Sequence, residues 1–452
     1  MPNQTESTSS LRRVLTLPEW GKAELAGVSL NEDDLVLITS RDGFIGQRLD
    51  IRETKTGVSV QSKSWVGVIR LAGFDIHIVP KMAGENLGLI RLIDYAGGID
   101  NFRMRKDDVP MRTAEDNLLE LVVATFLQRV EDIVRKGLRV DYVQQDDALS
   151  VVRGRFLPDR QVMQRFGMLN RVECRYDEHT SDIPDNQIIR ATLSKIRRLP
   201  LSAQLTRNLS RLETRFSSVS DQPSVPVPKL VKETLYVRAN TNYREAHALA
   251  ELIWQTIGVK DFFESGSIRT FAFLIDMNAL FERFLERWLG DILKPSGLTV
   301  SPQVKHYTAL WSPGDSKSIG LIQPDFIVSS RSGASHKVPI DAKYKAYDAK
   351  AVSNDDLYQA AVYAIAFSDS QSSRIPTTLI LYPGESDHDE FRTVVVRNRS
   401  RDSHARIMSL GIHIPTAIES ALSSSTCNSG VAISSKLLEL AASDVGDRRA
   451  AV

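Results

Sequence analysis

Apolar positions recur with two different spacings along the chain, and the spacing changes by region. Near the N-terminus they form short β-rich runs at 35–38, 58–60, 66–71 and 74–79, separated by Gly or Asp. These predict strands of a small β domain over 13–104. A helix over 87–95 follows, carrying Leu89, Ile90, Leu92 and Ile93. Helical spacing then dominates. Thr113-Ala114-Glu115-Asp116 resembles a capping box that opens a long helix, and Gly137 is placed to end it. Its apolar stripe is Leu119, Val122, Val123, Phe126, Val130, Ile133 and Val134. The region 105–265 is expected to be a helical middle domain, interrupted by a proline- and serine-rich linker at 217–228 and resuming as helix over 246–257.

A second change of period falls in the C-terminal part. Phe273, Met277, Leu280, Phe281, Phe284 and Trp288 predict one amphipathic helix over 271–289. Phe326-Ile327-Val328, the segment 337–345, Thr377–Pro383 and 391–396 read as strands of one sheet, and 354–367 reads as a helix. Strands and helices mixed in this order predict an α/β domain over 266–420. Residues 1–12 are polar and expected to be disordered, and 421–452 is expected to be a polar tail with a short helix at 437–442. The fold class is therefore multidomain α+β or α/β.

Composition narrows the field without choosing a function. The chain has 452 residues, with 57 Lys and Arg against 56 Asp and Glu, a net charge of +1. Any nucleic-acid surface must then be local. One candidate lies at 151–216, where 13 basic residues face 7 acidic ones, enough to steer a polyanion if they are not paired with neighbouring acids. The two cysteines, Cys174 and Cys427, exclude a disulfide framework and a cysteine-rich zinc site. No stretch is apolar over transmembrane length, and 1–12 lacks the regions of a signal peptide, so a cytoplasmic location without membrane contact is expected. No G-x-x-x-x-G-K-[ST] occurs, so no phosphate-cradling loop for ATP or GTP is evident.

The candidate chemistry centres on Pro324-Asp325 and Asp341-Ala342-Lys343. In a strand Asp341 and Lys343 share one face, while Val338, Ile340 and Ala342 share the other. On the triplet alone, an exposed hairpin with an Asp-Lys pair is the simpler reading. The flanks tip the balance. Glu282 lies beside an apolar helical stripe, and Gln359 and Tyr363 are four apart on one helix face. Two carboxylates and an ammonium suit phosphodiester hydrolysis with Mg²⁺, or Mn²⁺ in its place, because such ions take hard oxygen ligands and acidify bound water. His306 and His336 flank the motif, but this reaction needs neither. Asp315 and Asp348 read as loop residues.

The order Glu282, Asp325, Asp341-x-Lys343, Gln359-x-x-x-Tyr363 resembles the PD-(D/E)xK nuclease superfamily, in particular its RecB-like branch. A more specific resemblance covers about 60–400. Val66–Leu71, Ile76–Lys81, Ile90–Ala96, Val152-Arg153-Gly154-Arg155-Phe156, Cys174–Glu178, Asp185–Ile189 and Leu274–Glu282 match, in order, the McrC family of modification-dependent restriction nucleases. The resemblance implies a C-terminal PD-(D/E)xK nuclease domain with a mixed central sheet. In it, Asp325, Asp341 and the Ala342 carbonyl hold metal and Lys343 assists the nucleophile. Glu282, Gln359 and Tyr363 complete the catalytic set. It also implies double-stranded DNA as substrate and an McrB-type AAA+ GTPase hexamer as partner. The N-terminal part, around Val66–Lys81, would dock on that motor and stimulate it. Two alternatives stay open: a stand-alone RecB-like repair nuclease, and a non-cleaving structural activator of the GTPase.

Overall fold

The computed structural model describes residues 13–39, 45–46, 48–81, 85–97, 118–166, 168, 170–217, 223, 225–258, 271–330, 336–345, 347, 351–369, 374–423 and 425–442. The chain divides into two compact units, one of Met1–Val68, Ala72–Met104 and Leu274–Val452, the other of Ile69–Leu71 and Arg105–Phe273. Both ends of the chain thus share a unit.

The N-terminal half of the first unit contains β1 (Arg13–Pro18), β2 (Lys22–Ala26), α1 (Glu32–Thr39), β3 (Leu49–Glu53), β4 (Gly57–Ser62), β5 (Trp65–Arg70), β6 (Phe74–Val79) and α2 (Glu85–Ala96). Strands β1 and β6 are parallel, and β3 and β2 flank β4 antiparallel. The run at 35–38 is helical, not a strand. The Asn31 side chain accepts from the Asp34 amide at 2.8 Å, the Asp34 carboxylate accepts from the Asn31 amide at 3.1 Å, and three acids fill the first turn. This reciprocal cap outweighs the β preference of Leu35–Ile38. In Val66–Lys81, the segment expected to meet the motor, Val66, Ile69, Leu71, Phe74 and Ile76 are fully buried core, while Gly73 and Lys81 are exposed.

The second unit contains α3 (Leu118–Lys136), β7 (Asp141–Leu149), β8 (Arg155–Phe156), α4 (Pro158–Arg165), β9 (Val172–Thr180), α5 (Pro184–Ile196), α6 (Ala203–Ser217), α7 (Val227–Glu233), α8 (Arg244–Thr256), β10 (Ile257–Gly258) and the start of β11 (Phe271–Asp276). Helices α3, α5, α6 and α8 pack on one another. Gly137, at φ +95°, ends α3 as its sequence position implies, while Thr113–Asp116 lies outside the described residues. The middle region is not purely helical, because β7, β9 and β8 form an antiparallel sheet. Its strands escape a sequence reading because β7 and β9 are polar and half exposed. Gly154, at φ +68°, turns into β8 where a Cβ would stand 2.3 Å from the Arg175 carbonyl oxygen.

The basic surplus of the middle region is largely spent internally. Arg175 and Arg160 meet Asp146, Arg165 meets Glu173, Arg153 meets Glu178, Arg197 meets Glu213 and Arg211 meets Glu131. The sheet instead carries an exposed apolar tip. Val151, Val152, Val162, Met163, Phe166 and Met168 are each more than half exposed, with Phe166 at 86%.

The C-terminal half of the first unit contains α9 (Met277–Leu293), β12 (Leu298–Pro302), β13 (His306–Ser312), β14 (Lys317–Ile322), β15 (Phe326–Ser330), β16 (Val338–Ala342), α10 (Asn354–Ala366), β17 (Thr377–Pro383), β18 (Arg392–Arg397), β19 (Ser403–Ile412), α11 (Ile414–Leu422) and α12 (Asn428–Ala441). The single helix expected over 271–289 is a strand and then a helix. Phe271–Ile275 is a continuous apolar run, buried throughout, which suits a strand covered on both faces. Asp276 then caps α9, its side chain accepting from the Asn278 amide at 3.0 Å. The sheet order is β12-β15-β16-β17-β19-β18. Pairs β16/β17 and β17/β19 are parallel and the other three antiparallel, the mixed sheet expected from sequence.

The segment after 421 is only partly a polar tail. Helix α12 buries Gly430, Ile433, Leu437 and Ala441 at helical spacing and packs against α9, β15, β16 and β19. Its serines hide this face, since Ser429 is itself fully buried. Ile433→Ala should cost about 2–4 kcal/mol of stability, read by denaturant unfolding. A change inside 0.5 kcal/mol would mark α12 as peripheral.

Candidate active site

The site gathers at the end of β16. Ile340 and Ala342 are buried on one side of the strand, and Asp341 on the other is 2% exposed. A carboxylate buried in a strand among Ile380 and Leu381 of β17 is costly unless paired or used. The strand ends at Ala342, but the Lys343 amide still donates to the Leu381 carbonyl at 2.9 Å, which fixes where the lysine leaves the sheet.

Asp325 comes from the turn before β15. Its Oδ2 accepts from the Ala342 amide at 2.7 Å, which ties the Pro324-Asp325 turn to the neighbouring strand. The Asp325 and Asp341 carboxyl groups are close enough to hydrogen bond to each other when one is protonated. Lys343 Nζ lies 3.0 Å from Asp341 Oδ2 and donates to Oδ1 at 3.2 Å. It also donates to Gln359 Oε1 at 2.9 Å. Gln359 Nε2 donates to the Tyr363 hydroxyl at 2.8 Å, and that hydroxyl donates to the Gln323 carbonyl at 3.2 Å. Asp325, Asp341, Lys343, Gln359 and Tyr363 thus form one chain of contacts, as the sequence order implied.

Helix α10 presents Gln359 and Tyr363 to the strand for a local reason. Ser353 caps it, and Ala360 on the same side packs on Ile380 and Ile407. Tyr363 and Phe367 join Ile322 and Ile327 in a further small core. His306 packs edge-on against Phe367 and is a core-edge aromatic. Asp315 is exposed beside Lys317, and Asp348 lies outside the described residues.

The electrostatics are those of an acidic pocket short of positive charge. Burial pushes the Asp341 carboxyl up to about 7, with the Asp325 charge adding to it and Lys343 opposing. Burial likewise raises Asp325, against the hydrogen bond from the Ala342 amide. Glu282, on α9, is raised to about 7 by burial and then by Asp325 and Asp276. Asp341 Oδ2 is buried beside the Lys343 ammonium, 3.0 Å away. Two neighbouring carboxyls, both raised by burial, fit a divalent cation, whose charge would relieve the cost of ionising them together. The donor set is two carboxylates, since no group of three or more His, Cys, Asp or Glu is gathered for a metal ion among the described residues. Glu282 lies near enough to the pair for the Asp325 charge to raise it.

The raised carboxyls have a signed consequence for stability. Asp341 and Glu282 bind protons more tightly folded than unfolded, so their contribution is full below about pH 4 and lost as pH rises through about pH 7. The metal-free protein should lose thermal stability across that window, and Asp341→Asn should flatten the loss. Equal slopes for the two proteins would refute the shift.

Lys345, Tyr347 and Asp356 were not legible as site residues. Lys345 donates to both carboxylate oxygens of Asp356, at 2.7 and 3.0 Å, and Tyr347 and Ser353 hydroxyls also donate to Asp356. The available signal was Lys345 itself, two past Lys343 in a segment whose pattern reads as one strand, although β16 ends at Ala342.

A mixed sheet flanked by helices, with a buried carboxylate, a half-buried one and a tethered lysine at one strand end, defines a multidomain α+β protein with an acidic cluster. The sequence matches, over residues 60–383, the family described as McrBC 5-methylcytosine restriction system component, and the chain belongs to that family. Among solved structures, it resembles a chain of the refined half-complex from the tetradecameric assembly of Thermococcus gammatolerans McrB AAA+ hexamers with bound McrC. The TM-score is 0.55 at 19% identity, covering 91% of this chain and 99% of that one. A second likeness, to the cryo-EM structure of the Thermococcus gammatolerans McrBC complex, has a TM-score of 0.42 at 21% identity, covering 62% and 88%. At these identities the likeness speaks to fold alone. No curated protein matches the chain. No helix among the described residues is long and apolar enough to cross a membrane.

Proposed function

We propose that this chain is the McrC-type DNA-cleaving subunit of a modification-dependent restriction complex, a Mg²⁺-dependent endonuclease of the PD-(D/E)xK type. The observation that carries the proposal is the Asp325–Asp341 pair, both raised in pKa, beside a lysine that Gln359 holds in place. Asp325, Asp341 and the Ala342 carbonyl are the residues to hold the cation. When bound, the cation supplies an acidified water and a clamp on the phosphate oxygens.

The chain's own groups do the rest. Lys343 orients the attacking water and offsets charge developing on the phosphate. Glu282, half-buried and titrating near neutrality, holds a water beside the pair and accepts its proton. Gln359 and Tyr363 keep the lysine from collapsing wholly onto Asp341.

The motor is supplied from outside, because the sequence has no phosphate-cradling loop. The neighbouring structure contains McrB AAA+ hexamers with bound McrC. By that likeness the partner here is an McrB-type AAA+ GTPase hexamer, which reads the modified DNA and is stimulated on docking. The exposed apolar tip at Val162, Met163, Phe166 and Met168 is the surface best suited to docking, since Val66–Leu71 is core. The test is cleavage of 5-methylcytosine-bearing duplex by the purified complex with GTP and Mg²⁺. Cleavage lost on omitting partner or Mg²⁺ supports the proposal. Cleavage by this chain without the partner would favour a stand-alone repair nuclease.

A further inference from the structure

Helix α10 is fastened to the chain beyond β16 at two points, Lys343 and Lys345. The first is Lys343 with Gln359. The second is Lys345 with Asp356, a two-oxygen ion pair at 2.7 and 3.0 Å in which the carboxylate is 5% exposed. Asp356 and Gln359 are three apart in the helix and share a face. Asp356 also accepts from the Ser353 and Tyr347 hydroxyls, and its amide donates back to Ser353 Oγ at 3.3 Å. Arg392 donates to the Tyr347 carbonyl at 2.9 Å, which ties Tyr347 to β18. Burial opposes ionisation of Asp356, but these hydrogen bonds outweigh it and hold the carboxyl below its usual range.

The arrangement bears on the lysine. Two groups compete for Lys343 Nζ, Asp341 by charge and Gln359 by hydrogen bond. Both contacts are made, and the one to Gln359 is kept only if α10 stands at the right height and rotation, while the helix start is where a helix frays most easily. We propose that Lys345 and Asp356 are positioning residues: their ion pair sets the register of α10 so that Gln359 shares the Lys343 ammonium with Asp341 and fixes where it lies. Neither touches the reacting atoms. The inference rests on the cleavage reading for its kinetic consequence but not for its structural one, and the two are tested separately.

The structural arm uses the metal-free full chain and an amine-acylating reagent, with Lys343 modification followed by peptide mass spectrometry. Lys345→Met and Asp356→Asn should lower the rate of Lys343 acylation about threefold or more, because the ammonium then falls back onto Asp341 alone, and Lys345→Arg, which keeps the two-oxygen pair, should return it to the wild-type rate. The kinetic arm uses the partner complex. Both variants should lower kcat about 10- to 100-fold with KM for DNA unchanged, and Lys345→Arg should recover to within about threefold. Wild-type acylation and wild-type kcat in Lys345→Met overturn the proposal, as does failure of the folded Lys345→Arg protein to differ from Lys345→Met. If Lys343 reactivity falls in the variants but the wild-type complex does not cleave, the positioning stands and the cleavage reading falls.

Discussion

Asp341→Asn is expected to reduce DNA cleavage by the partner complex by about 10³-fold or more, while leaving partner association and stimulated GTP hydrolysis within about twofold. The substitution is nearly isosteric, so the strand keeps its packing against Ile380 and Leu381. What it removes is one of two carboxylates in a pocket that already strains to hold them both ionised. The free protein should therefore be no less stable above about pH 7, because a buried charge has been deleted. Loss of cleavage together with loss of folding would make Asp341 structural. Loss of cleavage with intact or improved stability makes it functional. Asp325→Asn is a less clean probe, because its Oδ2 also anchors the Ala342 amide.

The second large effect is expected at the other unit. Met163→Glu with Phe166→Glu should weaken association with the AAA+ partner about 100-fold or more and abolish partner-dependent cleavage, while metal binding by the free chain stays unchanged. Met163 is 79% and Phe166 86% exposed, so the isolated chain loses no packing from either change. Phe166 also sits in a left-handed conformation at the end of α4, at φ 50°, which holds its ring outward at some backbone cost. An apolar cluster kept exposed against that cost is better explained by a protein surface that covers it than by chance. Pull-down with the partner in the presence of a GTP analogue reads the effect. Unchanged association would move the docking surface elsewhere on the chain.

The order of the candidate site residues was legible because its elements are local. Asp341 and Lys343 lie two apart in a strand, and Gln359 and Tyr363 four apart in a helix, so each pair declares its own face. The strands of the sheet followed from apolar runs such as Thr377–Pro383, which is buried throughout, and its mixed character from the family resemblance. What failed was where a local cap or a tertiary contact overrode periodicity. Asn31 and Asp34 turned a β-rich run into α1, and Asp276 cut a seeming helix into β11 and α9. The sheet of β7, β8 and β9 has polar strands whose pairing shows only in three dimensions. The basic cluster looked like a polyanion surface until its arginines met Asp146, Glu173, Glu178 and Glu213. Asp356 was invisible because its role depends on Lys345, eleven residues away.

The central claim is that Asp325 and Asp341 together hold a divalent cation. Titration of Mn²⁺ into the free chain, followed by the electron paramagnetic resonance of unbound ion, tests it without partner, DNA or turnover. The account predicts saturable binding that tightens as pH rises through about pH 7 and vanishes in Asp341→Asn. Binding of equal strength in the wild type and in Asp341→Asn would contradict it.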